Sequence, residues 1–213
     1  MILPLAADVD TQWKAFGFKL RNKIRKAQKS QLTVRWGREH LGAWHRVMLE
    51  NMRDLGTPLA GPDYFARAFD AYGADAGLEV VEFQGRAIGA LAAVAHADGM
   101  VNPWASSLRA YRALCPNHML YWEAIQHAIA RGCRWFDFGR SQWGSNTFEF
   151  KEGWGAVPAP LYYQYVLGTA KTMPTLDDQK HAFELAVRIW QRLPLPLVRL
   201  LGPIARRRFP ETL

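Results

Sequence analysis

The period of the hydrophobic pattern switches repeatedly along the chain, and each switch marks an element. Trp13, Phe16, Leu20, Ile24 and Ala27 recur at three- and four-residue steps, which predicts one helix over 10–30. Leu32 to Trp36 alternates as a short strand does. Leu41, Trp44, Val47, Met48, Met52 and Leu55 return to helical spacing over 39–55, and Gly56 and Pro58 stop that helix. A second helix follows from Asp63, as N-cap, to Tyr72. The period then drops to two: Leu78–Phe83, Ala87–His96 and Met100–Ser106 form a three-strand meander, with turns at Gln84-Gly85 and Asp98-Gly99. After a loop over 107–116 the pattern predicts a helix from Asn117 to Arg131, ended by Gly132, and a strand over Cys133–Gly139. Phe148 and Phe150 share strand parity. Asn146 as N-cap, Glu149 in a capping-box place and Gly153 at C′ favour instead a short helix over 147–152. Leu161–Leu167 reads as a tyrosine-rich strand. A helix over Asp178–Leu193 then leads through Pro194 and Pro196 into Leu197–Ala205, with Leu197, Leu200, Leu201 and Ile204 on one face and three arginines, 206–208, at its end.

Strand, two helices, three antiparallel strands, helix, strand, short helix, strand: this order predicts an α/β (α+β) domain, a mixed sheet flanked by helices. A chain of 213 residues has the length for one core plus extensions, and 49% hydrophobic and 13% aromatic residues place it among folded proteins. Cys115 and Cys133 have neither metal-site spacing nor a disulfide framework, so a reducing cytoplasm is expected. The first residues, MILPLAADVD, lack the basic region and long apolar core of a signal peptide. No run approaches the roughly 20 apolar residues of a membrane span. The six histidines show no H-E-x-x-H spacing, and neither a G-x-S-x-G elbow nor a Walker loop is present, so no metal site is expected.

Charge adds a feature the periodicity does not show. Residues 1–38 hold nine Lys/Arg against two Asp, and residues 180–213 hold seven against two acids, which leaves 39–179 at net −4 within a total of +8. Both ends are basic and the body is mildly acidic. Basic ends suit phosphates, RNA through the 19–29 stretch, or an anionic membrane surface through 197–208, and they equally suit solvated helix faces. For 197–205, docking onto the domain is the alternative to a membrane surface.

Phe150-Lys151 followed by Gly153-Trp154-Gly155 resembles the FK-x-G-aromatic-G segment of the FemAB-like transferases, which are built from acyltransferase domains of the GNAT type. FDFGRS at Phe136–Ser141, NMRDLGTP at Asn51–Pro58, LRNKIRKAQKS at Leu20–Ser30 and WQRLPLPLVRLLGP at Trp190–Pro203 extend the resemblance. Together these segments are similar to FemAB-related proteins of bacterial PEP-CTERM/exosortase and exopolysaccharide systems. The resemblance implies a GNAT-like acyl-CoA N-acyltransferase fold over 31–170, a basic connecting helix over 1–30 and a helical appendage over 171–213. In two-domain relatives a basic helix of this kind follows a first GNAT-like domain, so the chain corresponds to the second half of such a protein.

The resemblance also locates the chemistry. GNAT domains admit an acyl donor where two parallel strands part, here Met100–Ser106 and Cys133–Gly139. Pro103 fits that role, since a proline in a strand belongs at an edge or a bulge. Lys151 takes the place of the FK lysine, implicated in stabilising charge on the reacting acyl ester. Asp137, at the strand end, is a candidate proton acceptor, and also a candidate to pair with Arg140 and order the loop. Tyr121 and Glu123, in the first turns of the crossover helix, are candidates to face the cleft. Tyr121 joins Lys151 and Asp137 as a catalytic candidate. Trp104, Ser106, Ser107, Arg140, Ser141 and Phe150 are expected around the substrates, with Arg109 and Arg112 on donor phosphates and Asn117 capping the helix they face. GNAT enzymes that use coenzyme A carry a glycine-rich loop there, and 108–118 has no glycine. The donor is therefore an acyl-CoA or an aminoacyl-tRNA, with no tightly bound cofactor. The acceptor that the resemblance implies is an amine of a cell-envelope or exopolysaccharide-related molecule. A non-catalytic GNAT-like module binding RNA, anionic membrane or a partner protein is the alternative.

Overall fold

A computed structural model describes the chain except residues 163, 165, 167–179 and 209–213. Six strands, β1 (Ile2–Pro4), β2 (Thr33–Trp36), β3 (Ala76–Phe83), β4 (Arg86–His96), β5 (Gly99–Ser107) and β6 (Trp135–Asp137), form one sheet in the order β1-β6-β5-β4-β3-β2. All neighbours are antiparallel except β5 and β6, which α5 (Pro116–Ala130) joins as a parallel crossover. This is the expected mixed α/β sheet of GNAT type, flanked by helices.

Strand alternation divides the core between the two faces. Val81, Ile88, Leu91, Met100 and Phe136 face α5 and the N-terminal helices α1 (Val9–Ala15) and α2 (Phe18–Lys29). Leu78, Val80, Ala90 and Ala92 face α3 (Leu41–Leu55) and α4 (Pro62–Tyr72), where Trp44, Phe65 and Phe69 pack edge to face. Two further helices, α7 (Lys180–Arg192) and α8 (Leu195–Arg208), lie against α3, with Val198 fully buried among its residues.

Several local expectations need correction. The helix over 10–30 is two helices, because Phe16 and Gly17 are extended. Asp8 caps the first by accepting from the Thr11 N–H. The stripe still works: Phe16, Leu20, Ile24 and Ala27 are all buried. Gly99 is the first residue of β5 rather than part of a turn. Ala97 takes the positive φ instead, and the Trp135 ring lies so close over Gly99 that a Cβ there would sit 2.0 Å from it. Ser145, not Asn146, caps α6 (Asn146–Glu152), accepting from the Phe148 N–H; the capping-box place then falls on Phe148, and Gly153 is right-handed. The strand expected over Leu161–Leu167 is absent at Leu161, Tyr162, Gln164 and Val166, which are exposed coil, while 163, 165 and 167 lie outside the described residues. The sheet edge beside β6 is filled by β1, which also bridges Val157 through Ile2.

Candidate active site

The parting of β5 and β6 follows from one irregularity. Pairing of β4 with β5 jumps from Ala92–Trp104 to Val94–Val101, so Asn102 and Pro103 together oppose Ala93. That extra residue is a β-bulge, which bends the strand that carries it. Pairing of β5 with β6 stops at the same point, at Val101–Asp137, while β5 continues to Ser107. β6 itself ends at Asp137, and Gly139, at φ +76°, passes close to the Asn102 carbonyl as the chain leaves the sheet. Proline at 103 has no N–H to lose from a ladder, so the bulge is where it belongs.

Asn102 is the residue that sequence reasoning missed. Its buried side chain donates from Nδ2 to the Ala92 carbonyl (2.7 Å) and the Trp104 carbonyl (3.0 Å), tying the bulge across both of its sides. Its Oδ1 accepts from the Tyr121 hydroxyl at 3.1 Å. Tyr121 in turn sits among Phe136, Phe138, Phe150 and Trp154. Burial pushes its phenol well above the ordinary value, so it keeps its proton. An Asn directly before the strand proline was the available signal. Glu123 turns the other way: burial raises its carboxyl, and it adds to the raised pKa of Glu79 on β3, away from the parted strands.

Lys151, on the last turn of α6, reaches back under the loop that leaves β6. Its Nζ donates to the Gly139 carbonyl (3.0 Å) and the Arg140 carbonyl (2.8 Å), and the residue is only 5% exposed. Burial pulls its pKa down to about 8, opposed by the nearby Asp137 carboxylate. Two of three ammonium protons are thus engaged, which fixes the cation at the carboxyl end of β6. Asp137 Oδ1 accepts from the Gly139 N–H (2.8 Å) and lies 3.4 Å from the Met1 amine nitrogen, so its carboxylate orders the turn.

A cleft of about 700 Å³ opens beyond this turn, lined by Asp137, Arg140, Ser141, Trp143, Phe148 and Pro160 among others. Phe150 is half-buried and packs on Tyr121, Trp154 and the His118 ring. Burial, with Lys23 nearby, lowers His118 to about 4, so that ring is neutral at pH 7. The remaining candidates are dispersed. Trp104 stacks edge-on with Trp44, Phe65 and Phe69 in the core on the α3 face. The Ser106 hydroxyl accepts from Asn51 of α3 at 3.0 Å, and Ser107 is buried. Arg109 and Arg112 are exposed on a short 3-10 turn, 109–114, that runs into α5. Asn117 does not cap that helix: Pro116 takes the first helical position, and Cys115, left-handed at φ +60°, stands as N-cap without a side-chain hydrogen bond to the helix. Among the described residues no group of His, Cys, Asp or Glu is arranged to hold a metal ion.

Comparison with known proteins agrees with this architecture. A family model described as an acetyltransferase (GNAT) domain matches residues 18–152, well over half of the chain. No curated protein sequence matches the chain. The crystal structure of FemX superposes at a TM-score of 0.66 with 18% identity, over 74% of this chain and 58% of FemX. The C-terminal domain of a putative lysylphosphatidylglycerol synthetase from Agrobacterium fabrum gives 0.52 with 15% identity, over 73% and 56% of the two chains. The aminoglycoside 6'-N-acetyltransferase AAC(6')-Ih from Acinetobacter baumannii gives 0.51 with 13% identity, over 64% and 99%. At these identities the likeness is one of fold, and the chain spans less than two thirds of the first two. The parted parallel strands, the bulge and the matched family model lead to one conclusion: the chain belongs to the GNAT acetyltransferase domain family, a family of acyltransferases.

Proposed function

We propose that the chain transfers an activated acyl or aminoacyl group to an amine of a cell-envelope acceptor. The observation that carries the reading is the loss of β5–β6 pairing after Val101, with the Lys151 ammonium held at the carboxyl end of β6. The donor ester or thioester enters between the strands. Backbone N–H groups of β5 on its β6 side, freed past the bulge, donate to the acyl oxygen, and Lys151 adds a cation in a site with little water. The acceptor amine attacks the carbonyl directly, so the main contributions are positioning and oxyanion stabilisation. As the tetrahedral species collapses, the amine proton leaves to Asp137 or solvent. The departing thiolate or ribose oxygen takes its proton from solvent, since the buried Tyr121 hydroxyl is committed to Asn102 Oδ1. Arg109 and Arg112 beside α5 bind the donor phosphates, while Arg140 and Ser141 line the acceptor side.

An envelope acceptor is supported by the likeness to a domain of a putative lysylphosphatidylglycerol synthetase, whose name joins an amino acid to a membrane lipid. An exopolysaccharide or PEP-CTERM setting rests on the resemblance of FDFGRS and FK-x-G-W-G alone. In this reading 31–170 is the catalytic unit, which works in the cytoplasm beside the membrane, and a first GNAT-like domain completes it. No described helix is long and apolar enough to cross a bilayer.

Thermal melting with each donor tests the proposal. A donor that binds the folded chain raises the midpoint by mass action, by roughly 2.7 kcal/mol of added stability at a hundredfold excess over Kd. Protection by acetyl-CoA or by an aminoacyl-tRNA supports transfer and identifies the donor. Protection by neither sinks it. Salt-sensitive binding of tRNA that carries no amino acid would in that case support the non-catalytic module, which the exposed Lys19, Lys23, Arg25, Lys26 and Lys29 of α2 favour.

A further inference from the structure

The α7–α8 hairpin has an anchored face and an outward face, and the outward face has the wrong chemistry for water. Val198 is fully buried, Trp190, Leu193 and Leu195 pack on the α3 core, and Gln191 Nε2 donates to the Asp54 carbonyl at 3.1 Å. Gly202 lies so close to the Leu59 carbonyl that a Cβ there would sit 2.7 Å from it, and Val187 crowds Gly56 in the same way. A helix pair docked this closely ordinarily turns polar residues outward. Here Leu185, Ile189, Leu197, Leu200, Leu201 and Ile204 are 40–66% exposed. On α8 the four apolar positions follow steps of three, one and three residues, a single stripe beside the buried Val198 face. On α7, Arg188 and Arg192 stand three residues after Leu185 and Ile189, flanking them on the solvent side.

The charge of the segment selects among occupants. Residues 180–208 contain seven Lys/Arg and one acid, Glu184, which Arg188 meets at 4.0 Å. Arg199 stands at the far edge of α8, where with Arg46 it lines a cleft of about 470 Å³ against α3. Exposed leucines and isoleucines bordered by arginines, with almost no carboxylates, complement a surface that is apolar below and anionic above. An anionic lipid bilayer has that order, and a basic amphipathic helix lying in its interface has this composition.

We infer that the outward face of α7–α8 docks the protein on an anionic membrane surface, with the apolar residues in the acyl boundary and the arginines among headgroup phosphates. The inference stands independently of acyl transfer, since it needs neither donor nor Lys151.

Co-sedimentation of the full chain with vesicles tests it. Vesicles of phosphatidylcholine mixed with phosphatidylglycerol should bind the protein, and phosphatidylcholine alone should bind it at least about tenfold more weakly, at about a kcal/mol per surface cation. Binding should weaken as salt rises. Leu200→Glu with Ile204→Glu alters only exposed positions, so folding is retained, and should abolish binding. Arg188→Ala with Arg192→Ala should lower it several-fold. Lys26→Ala with Lys29→Ala removes equal charge from α2 and should leave it unchanged. Equal binding to both vesicle types, or an α2 variant as weak as the α7 variant, overturns the inference. So does a concentration-dependent dimer that the Leu200/Ile204 variant dissolves, which would give the face to a second copy.

Discussion

Glu79→Met should stabilise this protein, and should do so more strongly as pH rises. Glu79 lies on β3 opposite Trp36 of β2 and Leu91 of β4, with its side chain turned toward α5. It is fully buried, and neither carboxyl oxygen has a hydrogen-bond partner in the protein. Burial, and then the Glu123 carboxyl on α5, push its pKa well above the ordinary value, so folding favours the protonated acid. A buried polar group without a partner costs roughly 1–3 kcal/mol. Methionine keeps the unbranched length and removes that cost, so the gain should be of this size near pH about 4.5, where the acid is protonated in the fold, and larger at neutral pH. At roughly 2–4 °C per kcal/mol for a chain of this length, the melting midpoint rises by several degrees. The pH dependence has a fixed sign. A group whose folded pKa is raised contributes fully below its unfolded pKa, and that contribution is lost as pH climbs toward the folded value. The wild type should therefore lose up to about 1.4 kcal/mol per pH unit above pH about 4.5 from this residue, and the variant should not. Urea unfolding of both proteins at about pH 5 and about pH 8 measures it. A variant less stable than the wild type, or a difference that does not change with pH, would refute the reasoning.

Three further outcomes are expected. Tyr121→Phe leaves the buried Asn102 Oδ1 without its donor and should cost roughly 1–3 kcal/mol in chemical unfolding; an unchanged stability would remove Tyr121 from the support of the bulge. His118 has a folded pKa of about 4, below its unfolded value, so stability should fall as pH drops from about 6.5 toward 4; His118→Phe should flatten that acid limb in a pH-dependent melt. If the Lys151 cation acts in transfer, kcat/KM should decline above pH about 8 as that ammonium deprotonates, whereas a profile flat to pH about 10 would show that its charge is not used.

The meander was legible because its turns have strong local chemistry. Gln84 and Gly85 both take positive φ, as a tight hairpin turn demands. The helix stripes were legible because burial enforces their spacing, even across the break at Phe16-Gly17. What failed had no local signal. Three-residue β1 has no period to read, and its place beside β6 depends on residues more than a hundred positions away. Trp104 alternates toward whichever face packs it, and only the fold shows Trp44, Phe65 and Phe69 waiting on the α3 side. Asn117 lost its capping role to a backbone event, the left-handed Cys115 before Pro116. At the site, Pro103 pointed to the bulge because a missing N–H is chemistry visible in one residue. Asn102 stood beside that proline in the sequence, but its three hydrogen bonds needed the coordinates, since its partners come from β4, β5 and α5. Glu79 shares strand parity with Val81 and Phe83, so a buried acid could have been suspected there from alternation alone.

The most direct test is the transfer rate of Lys151→Met with whichever donor protects the folded chain. Methionine fills the space under the Gly139–Arg140 turn but carries no charge, and melting with and without donor checks that fold and donor binding survive. The expected result is a fall in kcat of roughly 10²–10³, the loss of one oxyanion partner, with donor protection retained. Full activity in a folded, donor-binding Lys151→Met protein would contradict the assignment of that ammonium to the reacting carbonyl.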